Sequence, residues 1–293
     1  MDITQWYENE EVIFEIVKQL YNKEVAFLGE TKARCIVSPN KYTFDTNMKR
    51  FHIGKKRANI YKTMSRFDFK GFFKDFNFER PCFSYSYNIR RNQMDIFNEK
   101  SNLYVTNFDL GMDFDAHRNE DDTEKEIEDA FKLAYDECGQ VKALLDKHKV
   151  RYCIKSSGSG FHIDVDEEDL PEKIRILNSI EGKLELIKEM MKQLYQLLGL
   201  ETLDIGIDDQ DDDKNWGFFY DHRRLWKVAY SYDIKTGNIA LPLTDEQFNN
   251  FSYDILKPEY IKDNINIRGR GLLYREGVEN AFENLLEDLG IEI

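Results

Sequence analysis

Cysteine and proline are scarce in this chain, and long apolar runs are missing. Four cysteines, Cys35, Cys82, Cys138 and Cys153, are scattered through 293 residues with no CxxC pair and no histidine at zinc-finger spacing. That excludes a disulfide framework and a compact zinc knuckle, so no structural zinc is expected. Five prolines and 16 glycines are too few for a fibrous or disordered chain, whereas 41% hydrophobic residues can fill one large or two modest cores. No apolar run approaches the roughly 18 residues that span a bilayer. The opening MDITQWYENEE is acidic where a secretory leader is basic. The expectation is a soluble intracellular protein, cytoplasmic or nucleoid-associated, with no membrane partner.

Positive charge is also short overall, with a net charge of -14. Its distribution matters more than its sum. Lys49, Arg50, Lys55, Lys56, Arg57, Lys62, Arg66, Lys70 and Lys74 lie in one stretch that contains a single acid, Asp68. That local charge of about +8 leaves about -22 on the remainder. Phe51, Tyr61, Phe67, Phe69, Phe72 and Phe73 are interleaved with the cations. Aromatic faces beside Lys and Arg can stack bases while phosphates are neutralised, and a core of aromatics under a solvated basic face fits the same pattern.

Hydrophobic spacing alternates between helical and extended along the chain, without repeats. Trp6, Val12, Ile13, Ile16, Val17 and Leu20 predict one helix over Ile3 to Leu20. Leu103 to Phe108 reads as a strand, and Met112 to Ala116 continues extended after Gly111. Thr123 and Glu126 form a capping-box signature ahead of a long helical pattern through Leu145. Tyr152 to Ser156 and Phe161 to Val165 read as strands around the Ser157-Gly158-Ser159-Gly160 turn. A second helical stretch spans about Glu172 to Leu198, with an interruption expected near Gly182. This order predicts a sheet covered on one face by helices.

Three groups of residues carry chemistry. In Asp113-Phe114-Asp115, residues two apart on a strand share a face, so both carboxylates project together about 6 to 7 Å apart. Such a pair can bridge two divalent cations, and oxygen donors suit Mg²⁺ or Mn²⁺. A solvated acidic pair has the same sequence. Ser157-Gly158-Ser159-Gly160-Phe161-His162 offers a tight turn with N–H and hydroxyl donors for an anion, followed by a histidine on the next strand. An ordinary hairpin with a structural histidine fits equally. Asp221-His222-Arg223-Arg224-Leu225-Trp226-Lys227, continuing to Lys235-Thr236-Gly237, sets a carboxylate three residues from an arginine. That is suitable either for a metal beside a triphosphate or for a surface salt-bridge network.

Taken in order, these motifs resemble the catalytic subunit of archaeo-eukaryotic primases and the related primase-polymerases. That family combines a DxD strand, an SGxGxH-type hairpin and a later segment of the form D-x-[KR]-R-L-x-[RK]-x-P-x-S-x-H-x-K-T-G. The chain reads DHRRLWKVAYSYDIKTG from Asp221 to Gly237 in the same register. Lys23 to Phe27 is similar to the family's R-E-F-x-F segment, and Pro81 to Met94 to the stretch before the DxD strand, so the resemblance covers about residues 20 to 245. The chain departs from the pattern at Lys227, where arginine is frequent, at Ala229, where proline is usual, and at Asp233, where histidine is usual.

The resemblance implies a primase-polymerase fold of class α+β. Its recognition-motif-like catalytic sheet, about residues 101 to 250, packs against an N-terminal αβ module of residues 1 to 100 that carries the basic stretch. Residues 251 to 293 form a C-terminal segment of no assigned role. It implies template-directed nucleotidyl transfer from NTP or dNTP, with Asp113, Asp115 and Asp221 holding two Mg²⁺ or Mn²⁺ ions. Ser157, Gly158, Ser159, His162 and Arg224 then contact the nucleotide, and single-stranded DNA is the template. A primase large subunit or other replication or repair proteins are the further partners it points to. Lys55, Lys56 and Arg57 are the candidate template contacts from the basic stretch. Asp109 competes with Asp113, and is ranked behind it because Gly111 is expected to break the strand; Asp204 and Asp208 compete with Asp221. A non-catalytic single-strand-binding module and a metal-dependent nuclease are the readings from other classes.

Overall fold

The computed structural model describes residues 3–19, 23–29, 33–37, 41–45, 62–63, 82–94, 103–115, 123–201, 225–233, 236–268 and 270–293. In chain order the elements are α1 (Ile3–Glu8), α2 (Glu10–Gln19), β1 (Lys23–Gly29), β2 (Ala33–Val37), β3 (Lys41–Asp45), β4 (Lys62–Thr63), β5 (Cys82–Met94), β6 (Leu103–Phe108), β7 (Leu110–Asp115), α3 (Glu124–His148), β8 (Cys153–Ser156), β9 (Gly160–Val165), α4 (Glu172–Arg175), α5 (Ile180–Leu198), β10 (Leu225–Lys227), β11 (Leu241–Pro242), α6 (Asp245–Asn249), α7 (Pro258–Asn264) and α8 (Ala281–Asp288). The class is α+β, as the resemblance implies. Among the described residues no helix is long and apolar enough to cross a membrane.

The chain divides into two compact units that interleave along the sequence. One comprises 1–106, 156–158 and 223–273, the other 107–155, 159–222 and 274–293.

In the first unit a sheet runs in the order β10-β5-β1-β2-β3-β4, with β6 also on β5. β1 and β5 are antiparallel, with Val25 opposite Tyr87, and β10 joins β5 from the other side with Trp226 opposite that same Tyr87. The single helix predicted over Ile3 to Leu20 is two helices. The side-chain Oδ1 of Asn9 accepts the Glu11 N–H at 3.0 Å and caps α2, so the chain turns there although its apolar stripe continues. Trp6, Val12, Ile13 and Ile16 are all buried to 1% exposure or less.

These helices hold the late motif segment in place. Gln19 makes a double contact with Ala229, its Oε1 accepting the Ala229 N–H at 2.9 Å and its Nε2 donating to the Ala229 carbonyl at 3.3 Å. Trp6 Nε1 donates to the Tyr230 carbonyl at 2.9 Å, and the Tyr232 N–H donates to Tyr7 OH at 2.8 Å. Ala229 stands where the resembling motif has proline, and its N–H is put to use. Tyr230 is fully buried and left-handed at φ 70°, a conformation that costs a non-glycine residue on the order of 1 kcal/mol. Its N–H bonds to the Ala240 carbonyl at 2.6 Å and its OH to the Gly271 carbonyl at 3.3 Å.

In the second unit β9 lies between β8 and β7. β7 and β9 pair antiparallel from Leu110 opposite Val165 to Asp115 opposite Gly160. Leu110, Met112 and Phe114 with Phe161, Ile163 and Val165 make one apolar face, every member at 1% exposure or less. Each such burial contributes about 1.5 to 3 kcal/mol. Helix α3 packs across β7 and β9, with the Phe131 and Tyr135 ring centroids 5.3 and 5.6 Å from that of Phe161. Its start is the predicted capping box: Thr123 Oγ1 accepts the Glu126 N–H, and Glu126 Oε2 accepts the Thr123 N–H at 2.8 Å.

Two local expectations are corrected here. The break in the Glu172 to Leu198 stretch falls at 176–179, between α4 and α5, and Gly182 lies inside the first turn of α5. Ser179 is the N-cap, with Oγ accepting the Gly182 N–H at 3.1 Å, and a Cβ at Gly182 would lie 2.6 Å from Leu177 Cδ2. The glycine gives room for that close approach and does not end the helix. Likewise Gly111 lies within β7; the break between β6 and β7 is at Asp109.

Candidate active site

The strand period sets the site in the second unit. With Phe114 and Met112 committed to the apolar face, Gly111, Asp113 and Asp115 share the opposite face of β7, and register places them across from Asp164, His162 and Gly160 of β9. His162 Nε2 lies 3.1 Å from Asp113 Oδ1, with side chains only 6% and 13% exposed. This contact fixes the orientation of the carboxylate, and it brings two of the predicted site residues together from separate motifs. One step along the same face, Lys155 Nζ donates to Asp164 Oδ2 at 2.7 Å, both nearly inaccessible to water. The resulting row reads Asp115, then Asp113 with His162, then Asp164 with Lys155.

Oxygen donors from Asp113 and Asp115 on one strand face have the chemistry of a hard divalent cation site. Among the described residues no three metal-ligating side chains converge on one point. Asp221, the expected third ligand, lies outside the described residues, as do Arg224, Lys55, Lys56, Arg57, Asp204 and Asp208. Asp109, the competitor of Asp113, stands between strands at 7% exposure, where its Oδ1 accepts the Glu167 N–H at 3.4 Å.

The Ser157–Gly160 turn is where the chain passes from one unit into the other. Its two glycines serve different purposes. Gly160 lies against β7, where a Cβ would come within 2.2 Å of the Phe114 carbonyl oxygen, so only glycine permits the strand pairing that puts His162 opposite Asp113. Gly158 is left-handed at φ 98° and belongs to the first unit, where a Cβ would lie 2.8 Å from Asp233 Cβ. Its N–H donates to Ser156 Oγ at 3.2 Å and its carbonyl accepts from Asn238 Nδ2 at 3.3 Å. Ser157 is buried at 7% exposure; Ser159, in the second unit, is partly exposed.

Two polar residues of this face are not evident from the motifs. Lys155 and Asp164 extend the polar face, and the signal for Asp164 is in the alternation of GFHIDV, which places it two residues beyond His162. Lys227 and Asp233 form a second ion pair at 2.6 Å in the first unit. No spacing rule reports that pair, because a loop joins its members. Cys138 and Cys153 offer no nucleophile: both are fully buried, and burial pushes the Cys138 thiol well above the ordinary range.

No family model matches the chain, and no curated protein matches it. Among solved structures it is similar to the polymerase domain from Mycobacterium tuberculosis Ligase D, a structure in complex with DNA. The sequence identity is 14%, with 90% of this chain and 88% of that one covered, and the TM-score is 0.48.

Proposed function

We propose that the chain is a template-directed nucleotidyltransferase of the primase-polymerase kind, acting on NTP or dNTP along single-stranded DNA. The observation that supports this reading is the pairing of the DxD strand with the SGxGxH strand so that Asp113 meets His162 at 3.1 Å, with Asp115 on the same face. An acidic pair of no function has no need of a buried histidine to orient it.

In this reading Asp113 and Asp115, with Asp221, hold two Mg²⁺ or Mn²⁺ ions. Bound divalent ions supply Lewis acidity that lowers the pKa of an attacking 3′-hydroxyl and stabilise the departing pyrophosphate. The Ser157–Gly160 turn, His162 and Arg224 bind and align the triphosphate, which converts a bimolecular encounter into an oriented one. Lys55, Lys56 and Arg57 take the template, and a large primase subunit or other replication or repair proteins are further partners.

The test is incubation of the purified chain with single-stranded template, labelled NTP or dNTP, and Mg²⁺ or Mn²⁺, with and without a primer. Template-dependent extension supports the proposal. Degradation of the template without extension makes the chain a nuclease, and strand binding with neither activity makes it a binding module. Thermal stabilisation by nucleotide, absent for a nuclease with no triphosphate pocket, separates the classes independently of turnover.

A further inference from the structure

Asp233 is a carboxylate in the segment that should favour a polyphosphate, and a bare negative charge there would repel it. The structure answers this within the first unit. Asp233 is only 3% exposed, and both of its oxygens are engaged: Oδ1 accepts from Lys227 Nζ at 2.6 Å and Oδ2 from Thr236 Oγ1 at 2.8 Å. Its backbone is tied as well, its N–H donating to the Asn238 carbonyl at 2.7 Å and its carbonyl accepting the Gly237 N–H at 2.8 Å. A carboxylate so enclosed is matched in charge by Lys227 and is spent on local structure.

What this arrangement touches is the turn. Gly158 lies against the Asp233 side chain so closely that an added Cβ would be 2.8 Å from its Cβ and 3.1 Å from Oδ2. Asn238, whose N–H donates to Thr236 Oγ1 at 3.3 Å, reaches back to the Gly158 carbonyl. Asn238 therefore grips the Gly158 peptide from the carbonyl side, and Asp233 closes its Cα side sterically. Left-handed backbone at φ 98° persists where its surroundings over-determine it, and Asp233 and Asn238 supply such surroundings.

We propose that Asp233, charge-matched by Lys227, is a positioning residue that locks the Ser156–Gly158 backbone for the triphosphate and makes no contact with the phosphates itself. This deepens the nucleotidyltransferase reading and rests on it for the ligand, but the lock is measurable without any nucleotide.

The experiment has two readouts. Amide hydrogen exchange of residues 157–160 in the full chain without nucleotide should quicken about tenfold in Asp233→Asn, with α5 amides unchanged as the control for global folding. In steady-state extension the same variant should raise the nucleotide KM about tenfold while kcat stays within about threefold, the signature of binding weakened about equally in the ground and transition states. Adding Lys227→Gln to Asp233→Asn re-creates a neutral hydrogen-bonded pair and should recover most of both effects, which a residue acting by its charge on phosphate would not do. Should Asp233→Asn fail to fold, Thr236→Val removes one bond from the same carboxylate and should give about a threefold change in exchange. Unchanged exchange at 157–160 overturns the lock, whatever the activity. Quickened exchange in the variant, when even the wild-type chain adds no nucleotide, sustains the lock and overturns only the nucleotidyltransferase reading.

Discussion

Two ion pairs, one straddling the Ser157–Gly160 turn in the sequence and the other lying more than 60 residues beyond it, are built in opposite ways. Lys155 and Asp164 sit on neighbouring strands of the second unit, 2.7 Å apart, and strand register alone brings them together. Lys227 and Asp233, 2.6 Å apart in the first unit, are joined by a chain reversal that depends on a left-handed tyrosine and on helices more than 200 residues earlier. A strand-borne pair can be read from alternation, because the period of 2 is dictated by backbone geometry. A loop-borne pair depends on remote contacts, and no local rule reveals it. The first kind sets side chains on a rigid face; the second is the one proposed to adjust the backbone of the turn.

The most severe test of the strand-borne face is removal of its carboxylate charge. Asp113→Asn and Asp115→Asn should each lower nucleotide addition by at least about a hundredfold, since both carboxylates are proposed to hold the divalent ions. Melting temperatures should stay within about 3 °C of wild type, because neither residue contributes to the apolar face. Retention of more than about a tenth of the rate in either variant would exclude the two-metal role. Omission of the divalent ion with chelator should mimic both variants in the wild-type chain.

Next in size is the pair beside that face. Lys155→Met leaves Asp164 as a buried charge without its cation and should destabilise the chain by about 3 to 5 kcal/mol in urea unfolding. Lys155→Met with Asp164→Leu should regain most of that stability. The comparison between the pairs fails if the double variant is no better than the single one, for then the polar face rests on more than strand register.

Much of the second unit is legible in the sequence because its rules are local. The β7 and β9 strands, the Thr123 capping box and the shared face of Asp113 and Asp115 all follow from short-range spacing. The misreadings are also local in origin. Gly111 and Gly182 invite reading as breakers, yet each is tolerated inside an element where its neighbours crowd the backbone or the ladder continues, and the actual breaks lie at Asp109, between β6 and β7, and at Ser179, whose side chain caps α5. Asp233 is marked in the sequence only as a departure from a motif. Its role as a partner of Lys227 and a wall against Gly158 needs the course of the loop, which Trp6, Tyr7 and Gln19 determine from the far end of the chain.

That long-range dependence can itself be tested. Gln19→Ala strips both hydrogen bonds from Ala229 and leaves a partly buried N–H without its acceptor, so a destabilisation of about 1 to 3 kcal/mol is expected. Supplying the motif's usual residue, Ala229→Pro, removes that N–H and should make Gln19→Ala nearly neutral, provided that the proline ring fits the backbone there. Additive effects in the double variant would show that Gln19 acts elsewhere.

The smallest effect concerns the basic stretch, and it asks whether the chain's acidity elsewhere leaves room for a strand of DNA. At physiological salt the Debye length is about 8 Å, so acids more than that distance away are screened while a dense patch still attracts phosphates. Replacing Lys55, Lys56 and Arg57 with alanine should weaken single-strand binding and reduce the slope of log K against log salt by up to about 2, at roughly 0.7 for each phosphate that is no longer neutralised. Nucleotide binding should be unchanged, because the triphosphate is assigned to the turn and to Arg224. The effect should be larger at low salt, where the remaining charge of about -22 repels the strand and the patch alone opposes it. An unaltered affinity and slope would make these residues a solvated face and direct the search for the template path to Arg268, Arg270 and Arg275. Of those, Arg270 already donates to the Pro242 carbonyl at 3.1 Å and to Gln247 Oε1 at 2.7 Å, which makes it the weakest alternative.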